Sequence, residues 1–286
     1  MVDVLISANE LHKRLAREDG RPLVLDVRWV LGDPNGHEHY TERRVPGSVY
    51  ASMNTDLAAP PSALDGRHPL PTPEHFQSVA RGWGLRQGQG VVVLDDNGGM
   101  SAARAWWLLR WAGHEDVLIL DGGLKAWTDA GYELDGLDTP IPAPEPGDVV
   151  LGADHMPTLD IDAAAEFPQR GVLLDARAGE RYRGEQEPID PRAGHIPGAI
   201  NAPTGENLRE NGKFKDPRQL RARFEALGVV AGKPDAGAVY CGSGVTAAHE
   251  VAALAVAGIH AALYPGSWSQ WSNHPDRPAA TGPEAE

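Results

Sequence analysis

Cysteine is all but absent: the 286-residue chain has one, Cys241. A single thiol excludes an intramolecular disulfide. No His/Cys pairs stand at metal-ligand spacing, so the sulfur is either a buried filler or a reactive group. Basic residues are also scarce, 26 Lys and Arg against 40 Asp and Glu, and the resulting field repels nucleic acid and anionic lipid. Long apolar runs are missing. None reaches bilayer length, and Met1-Val2-Asp3-Val4-Leu5-Ile6 lacks the basic flank and sustained apolar stretch of a secretory signal. A cytoplasmic protein that engages neither membrane nor nucleic acid is expected. With 41% apolar residues, the chain is long enough for two domains, each with its own core.

What is present is a duplication. Leu25-Asp26-Val27-Arg28 recurs as Leu174-Asp175-Ala176-Arg177, and Arg44-Val45-Pro46-Gly47-Ser48-Val49 as His195-Ile196-Pro197-Gly198-Ala199-Ile200. Val91-Val92-Val93-Leu94 leads through a Gly-containing loop into a helix-like run from Ser101 to Ala112, as Ala238-Val239-Tyr240 leads into Thr246 to Ala257. The run from Leu120 to Trp127 matches Tyr264 to Trp271 in the same order. Thr72-Pro73-Glu74 and Asp216-Pro217 mark helix starts, where the first residue caps and proline suits the first turn. Strands alternating with helices imply an α/β fold of two tandem domains, each a mainly parallel sheet with helices on both faces. The expected division is a first domain over 1–134, a proline-rich linker over 135–157, a second domain over 158–275 and a solvated tail over 276–286.

Val239-Tyr240-Cys241-Gly242-Ser243-Gly244-Val245-Thr246 puts the thiol between a strand end and a helix start, where open α/β sheets bind ligands. Two glycines let successive N–H groups turn inward, and the helix adds its positive end. Such a nest favours a thiolate, which is the nucleophile, and can hold a persulfide. Cysteine phosphatases use a similar strand, loop and helix but need an arginine six residues after the cysteine. That position is Ala247 here, so a phosphate dianion loses its guanidinium clamp.

These features together resemble the tandem-domain rhodanese-like sulfurtransferases, from about Leu5 to Trp271. Cys241-Gly242-Ser243-Gly244-Val245-Thr246 is similar to the active-site loop of 3-mercaptopyruvate sulfurtransferases, whereas thiosulfate-specific members more often carry basic residues in this loop. Asp175-Ala176-Arg177, Arg181-Tyr182-Arg183-Gly184 and Gly194-His195-Ile196-Pro197-Gly198 resemble second-domain signatures of the family. Counting back from the shared Ala-Gly pairs at 112–113 and 257–258 sets Asp96 opposite Cys241, which implies a catalytically inactive first domain.

The resemblance implies attack by the Cys241 thiolate on donor sulfur, a persulfide intermediate and removal of its outer sulfur by an acceptor. Backbone N–H groups of Gly242, Ser243, Gly244, Val245 and Thr246 are expected to stabilise the charge, with added donors from the Ser243 and Thr246 hydroxyls; Thr246 has helix capping as a competing role. Arg181 matches a substrate-binding arginine. The family's second arginine aligns with Ile189, leaving Arg192 or Arg183 as substitutes. His68 matches a first-domain histidine that works with the loop serine and an aspartate, aligned here with Ser52. Asp26, Asp175, His195, Trp127 and Trp271 read as structural, and Trp268 as a candidate pocket wall. No metal and no organic cofactor is expected. The expected partners are a small anionic donor, with 3-mercaptopyruvate first and thiosulfate second, and cyanide, a thiol or a thioredoxin-like acceptor. A non-enzymatic persulfide carrier or scaffold is the rival reading.

Overall fold

The computed structural model describes residues 3–141, 143–233 and 235–284. Met1 and Val2, the linker proline Pro142, and Ala285 and Glu286 of the expected tail lie outside them. The first half runs β1 (Leu5–Ile6), α1 (Ala8–Leu15), β2 (Leu23–Asp26), α2 (Gly36–Glu42), β3 (Val49–Tyr50), α3 (Pro73–Gly82), β4 (Val91–Leu94), α4 (Ala102–Trp111), β5 (Val117–Leu120) and α5 (Gly123–Asp129). The second runs α6 (Ile161–Glu166), β6 (Val172–Asp175), α7 (Gly179–Tyr182), β7 (Ile200–Asn201), α8 (Pro217–Ala226), β8 (Gly237–Tyr240), α9 (Val245–Val256), β9 (Ala262–Leu263) and α10 (Ser267–Trp271). Both helix starts anticipated from proline form as expected. Thr72 accepts from His75 N–H above Pro73, and Asp216 with Gln219 makes a capping box around Pro217.

Each half builds one parallel sheet, ordered β1-β5-β4-β2-β3 in the first and β7-β6-β8-β9 in the second. The missing fifth strand of the second sheet is reduced to a single parallel bridge between Thr158 and Leu263. Every residue of β4 and β8 is buried, as in central strands covered by helices on both faces.

The two homologous helices that follow these strands, α4 and α9, pack against each other and join the halves. Both are buried nearly all round, which is why neither shows a clear polar face in sequence. The expectation of two private cores is therefore amended. Each sheet keeps an outer core of its own, around Leu11 and Leu120 in one half and Phe167 and Tyr264 in the other, but the inner faces share one continuous core through α4 and α9.

The linker lies against the first half. Val149 is fully buried, and the buried Arg44 guanidinium donates to the carbonyls of Gly136, Thr139 and Pro140. The tail has no buried residue from 276 to 284, yet it is anchored to the second half. Ala280 pairs with His195 in an antiparallel bridge, and Trp271 Nε1 donates to Pro278 O. Gly194 permits this close approach, since a Cβ there would sit 2.2 Å from Ala280 O. Among the described residues no helix is long and apolar enough to cross a membrane.

Candidate active site

Strand β8 delivers Cys241 to the C-terminal edge of its sheet, 1% exposed, at the inner end of a cavity of about 410 Å³ in the cleft between the halves. Its backbone is held from behind by α10. Cys241 N–H donates to Ser267 Oγ at 3.1 Å, Trp268 N–H donates to Cys241 O, and Ser269 N–H donates to Gly242 O. Ser267 itself sits at φ +53°, a left-handed conformation that costs a non-glycine residue about 1 kcal/mol or more. Gly244, at φ +80°, turns its N–H back onto Cys241 Sγ at 3.1 Å and serves as the N-cap of α9. Thr246 is thus inside the first turn, lining the cavity, and the capping role is Gly244's. Among the described residues, the N–H groups of Gly242, Ser243, Val245 and Thr246 have no acceptor.

The first half contains the same nest, filled. Strand register pairs Asp26 with Leu94 and Asp175 with Tyr240, so the residue matching Cys241 is Asp95. The expected Asp96 is off by one because the first loop is one residue longer than the second, an insertion that counting back from the helix ends cannot see. Asp95 is fully buried and accepts from the N–H groups of Asn97, Gly99, Ser101 and Ala102 at 2.8–3.1 Å. Asp96 is half-exposed beside Arg28. Burial pushes the Asp95 carboxyl up and the four N–H donors pull it back, so within this chain the strand-loop-helix turn aims its donors at an oxygen acceptor.

Two guanidiniums flank the thiol. Arg181 lines the cavity as expected, ion-paired to Glu187 at 2.7 Å and to Asp190 at 3.3 Å. Arg67, which belongs to no recognisable sequence motif, enters from the first half and pairs with the other oxygen of Asp190. Burial pushes the Asp190 carboxyl up, against the pull of Arg67 and Arg181. Arg192 is a correction. Its guanidinium is spent on the carbonyls of Ser272, Arg277, Trp271 and His274, tying α10 to the tail. Arg183 pairs with Glu185 at the surface, and Ile189 is 41% exposed.

His68 is brought to the loop, with Nδ1 2.8 Å from Ser243 Oγ. Beside its Nε2, at 3.4 Å, stands Asn54 Oδ1, so Asn54 rather than Ser52 occupies the orienting position. Burial, with Arg104 and Arg67 nearby, lowers the imidazole to about 4. A neutral ring that gives its Nε2 proton to Asn54 accepts the Ser243 hydroxyl at Nδ1. Arg104 of α4 is fully buried, which lowers it to about 10. It donates to the carbonyls of Leu57, His68 and, across the domain boundary, Gly244. Thr204, also on the cavity, bonds His249 Nδ1 at 2.6 Å.

The residues read as structural are so placed. Asp175 pairs with Arg177, Asp26 with Arg28, and His195 stacks on Tyr182. Trp268 braces the loop from behind and does not wall the cavity, being fully buried with Arg177 over its ring. Sequence signals for the missed residues were thin. Arg67 adjoins His68, a single-residue clue, and Ser267 sits inside a repeated segment whose mate, Gly123, carries no hydroxyl.

The rhodanese-like domain model matches residues 7–130 and 160–274. A protein of Pseudomonas aeruginosa described as a probable 3-mercaptopyruvate sulfurtransferase is 48% identical, over 97% of this chain and 98% of its own. A putative thiosulfate sulfurtransferase of Mycobacterium tuberculosis is 44% identical, over 98% and 97%. The crystal structure of the 3-mercaptopyruvate sulfotransferase SseA from Escherichia coli superposes with a TM-score of 0.81 at 31% identity, covering 93% of this chain and 99% of that one. With both halves matched, and a nest that holds a thiol in one and a carboxylate in the other, the chain belongs to the tandem rhodanese-like sulfurtransferases, enzymes that carry sulfur as a cysteine persulfide.

Proposed function

We propose that the chain takes sulfur from 3-mercaptopyruvate onto Cys241 and passes it to cyanide or a thiol. The observation that carries this reading is Cys241 Sγ accepting the Gly244 N–H in a cavity shared with Arg181. Thiolate attack on the donor's thiol sulfur forms the S–S bond and breaks the C–S bond. The donor's own thiol proton ends on the methylene carbon, so pyruvate leaves and a persulfide anion remains. The N–H groups of Gly242 to Thr246 receive that anion, as the corresponding N–H groups receive Asp95 in the first half. Arg181 holds the donor's anionic group. The Ser243–His68 pair positions the loop: Asn54 fixes the ring's tautomer but, lacking charge, does not stabilise an imidazolium as a carboxylate does.

The names of the relatives divide between two donors. Thiosulfate is the second reading, favoured by Ile189 standing where the mercaptopyruvate enzymes have a second arginine. The first domain, near residues 1–134, is catalytically silent because Asp95 fills its nest. A reduced thiol is required for turnover, which fits the cytoplasm, and a small thiol or thioredoxin-like protein fits as acceptor. Thiocyanate formation from cyanide, with both donors in parallel, tests the reading. Turnover with mercaptopyruvate that is lost in Cys241→Ser supports it, turnover with thiosulfate alone assigns the second donor, and none with either leaves a protein-to-protein sulfur carrier.

A further inference from the structure

The duplication lets one buried arginine be compared with its own repeat. In the second half, Arg177 gives Nε and Nη2 to Asp175 and Nη2 also to Gly194 O. Its Nη1 turns to Glu187, a carboxylate with 4% of its side chain exposed. In the first half, Arg28 repeats the first of these arrangements. Its Nε lies 3.0 Å from Asp26 Oδ1, and its Nη2 donates to Asp26 Oδ2 and to Arg43 O, the counterpart of Gly194 O. Nη1 differs. Among the described residues it faces only Asp96, 3.5 Å away with 40% of its side chain exposed, and donates no hydrogen bond.

Arg28 is 4% exposed and lines a cavity of about 450 Å³ at the C-terminal edge of the first sheet. Burial pushes the Asp26 carboxyl up to about 7 against the pull of Arg28, so Asp26 leaves part of the guanidinium charge uncompensated. A buried guanidinium short of one acceptor beside a cavity suits a carboxylate. The rest of the lining decides which kind. Asp33, Glu42 and Asp96 stand there with Arg43 and Lys125, so a bare anion is repelled by three carboxylates, whereas a ligand carrying both charges meets a partner for each. Trp29 and Leu124 add apolar wall.

We propose that this cavity of the first half binds a small zwitterion, an aliphatic α-amino acid, with its carboxylate on Arg28 Nη1, its ammonium on Asp96 and its side chain against Trp29 and Leu124. The half whose own nest is closed by Asp95 thereby has a ligand of its own. Trp29 is a wall of both this cavity and the catalytic one, with its ring edge-on to His68 at 5.3 Å, which makes it a reporter of binding.

The test uses the full-length protein with L-leucine as probe, beside isoamylamine and 4-methylpentanoate, which keep the side chain but carry only the ammonium or only the carboxylate. Affinity is read by titration calorimetry and by tryptophan emission, whose change on adding leucine is lost in Trp29→Phe. Leucine is expected to bind at least tenfold more tightly than either analogue, the weight of one charged hydrogen-bonding partner. Asp96→Asn, at a half-exposed position, should weaken leucine and strengthen 4-methylpentanoate, because it removes the partner of the ammonium and relieves Arg28 Nη1 of a competing carboxylate. Thr128→Phe, which fills the cavity from α5, abolishes leucine binding with the circular dichroism spectrum unchanged. Arg28→Gln lowers leucine affinity at least tenfold; it also breaks a buried ion pair, so the Asp96 and Thr128 variants keep the test independent of its stability. Arg181→Gln leaves leucine affinity unchanged. Three results overturn the proposal: no heat of binding with leucine in millimolar excess, an analogue that binds as tightly as leucine, or leucine binding that is lost in Arg181→Gln, which would put the amino acid in the catalytic cavity.

Discussion

Replacing Gly244 by alanine puts the nest itself on trial. The residue sits at φ +80°, where an L side chain costs about 1–2 kcal/mol. Its new Cβ would stand 2.5 Å from Pro265 O and 3.2 Å from Arg104 Nη1. The first contact is with backbone and cannot be relieved by a rotamer, so the loop or the Pro265 segment must shift. Strain and displacement together are expected to cost roughly 2–3 kcal/mol of folding stability. The larger effect is on chemistry. Among the described residues, Gly244 N–H is the one backbone donor on Sγ, at 3.1 Å, and losing a preorganised donor to a charged reaction centre costs about 10²–10³ in rate.

The assay is steady-state thiocyanate formation well below the melting temperature of the variant, with urea titration alongside. Gly242→Ala is the internal comparison, since its φ is ordinary and its Cβ meets only the tips of two flexible guanidiniums. It should keep nearly all its stability while KM for the donor rises. A folded Gly244→Ala protein turning over within about threefold of wild type would refute the claim that this N–H and this backbone conformation hold the reacting sulfur.

Arg104→Met removes a charge that links α4 to the cysteine loop and strands the carbonyls of Leu57, His68 and Gly244. Loss of about 3 kcal/mol in urea unfolding is expected, with Arg104→Lys retaining part because an ammonium keeps three donors but not the planar fork. The pH dependence of stability has a traceable component in His249, fully buried and lowered by desolvation to about 4. Its folded value lies below the unfolded one near 6.5, so its contribution is intact above pH 6.5 and is lost as pH falls toward 4, where only the unfolded chain takes the proton. The stability gap between wild type and His249→Gln should therefore narrow by up to about 3 kcal/mol between pH 7 and 4. A gap that stays constant would show that His249 is protonated in the native state.

Much of the architecture was legible because it is written twice. The repeated Leu-Asp-x-Arg strand ends, the Pro-Gly turns and the proline-marked helix starts are local signals, and each forms where expected. The cysteine loop was legible for the same reason: strand, two glycines and helix lie within ten consecutive residues. What escaped depends on contacts distant in sequence. Arg192 and Arg67 are both arginines near site motifs, and only the fold shows that one spends its donors on four carbonyls while the other crosses the cleft. The Asp95 position was missed by one because a loop insertion is invisible to counting from helix ends, whereas strand register resolves it. The tail reads as solvated since its composition is polar and Pro-rich, yet its pairing with His195 depends on Gly194 lacking a side chain.

The central claim is that Cys241 carries the sulfur. Intact-mass and peptide analysis of the protein after brief exposure to 3-mercaptopyruvate, with no acceptor present, addresses it most directly. The account predicts a gain of one sulfur atom on the peptide containing Cys241, discharged on adding cyanide and absent in Cys241→Ser. Turnover that proceeds with no sulfur gained at Cys241, or a gain that persists when cyanide is added, would contradict it.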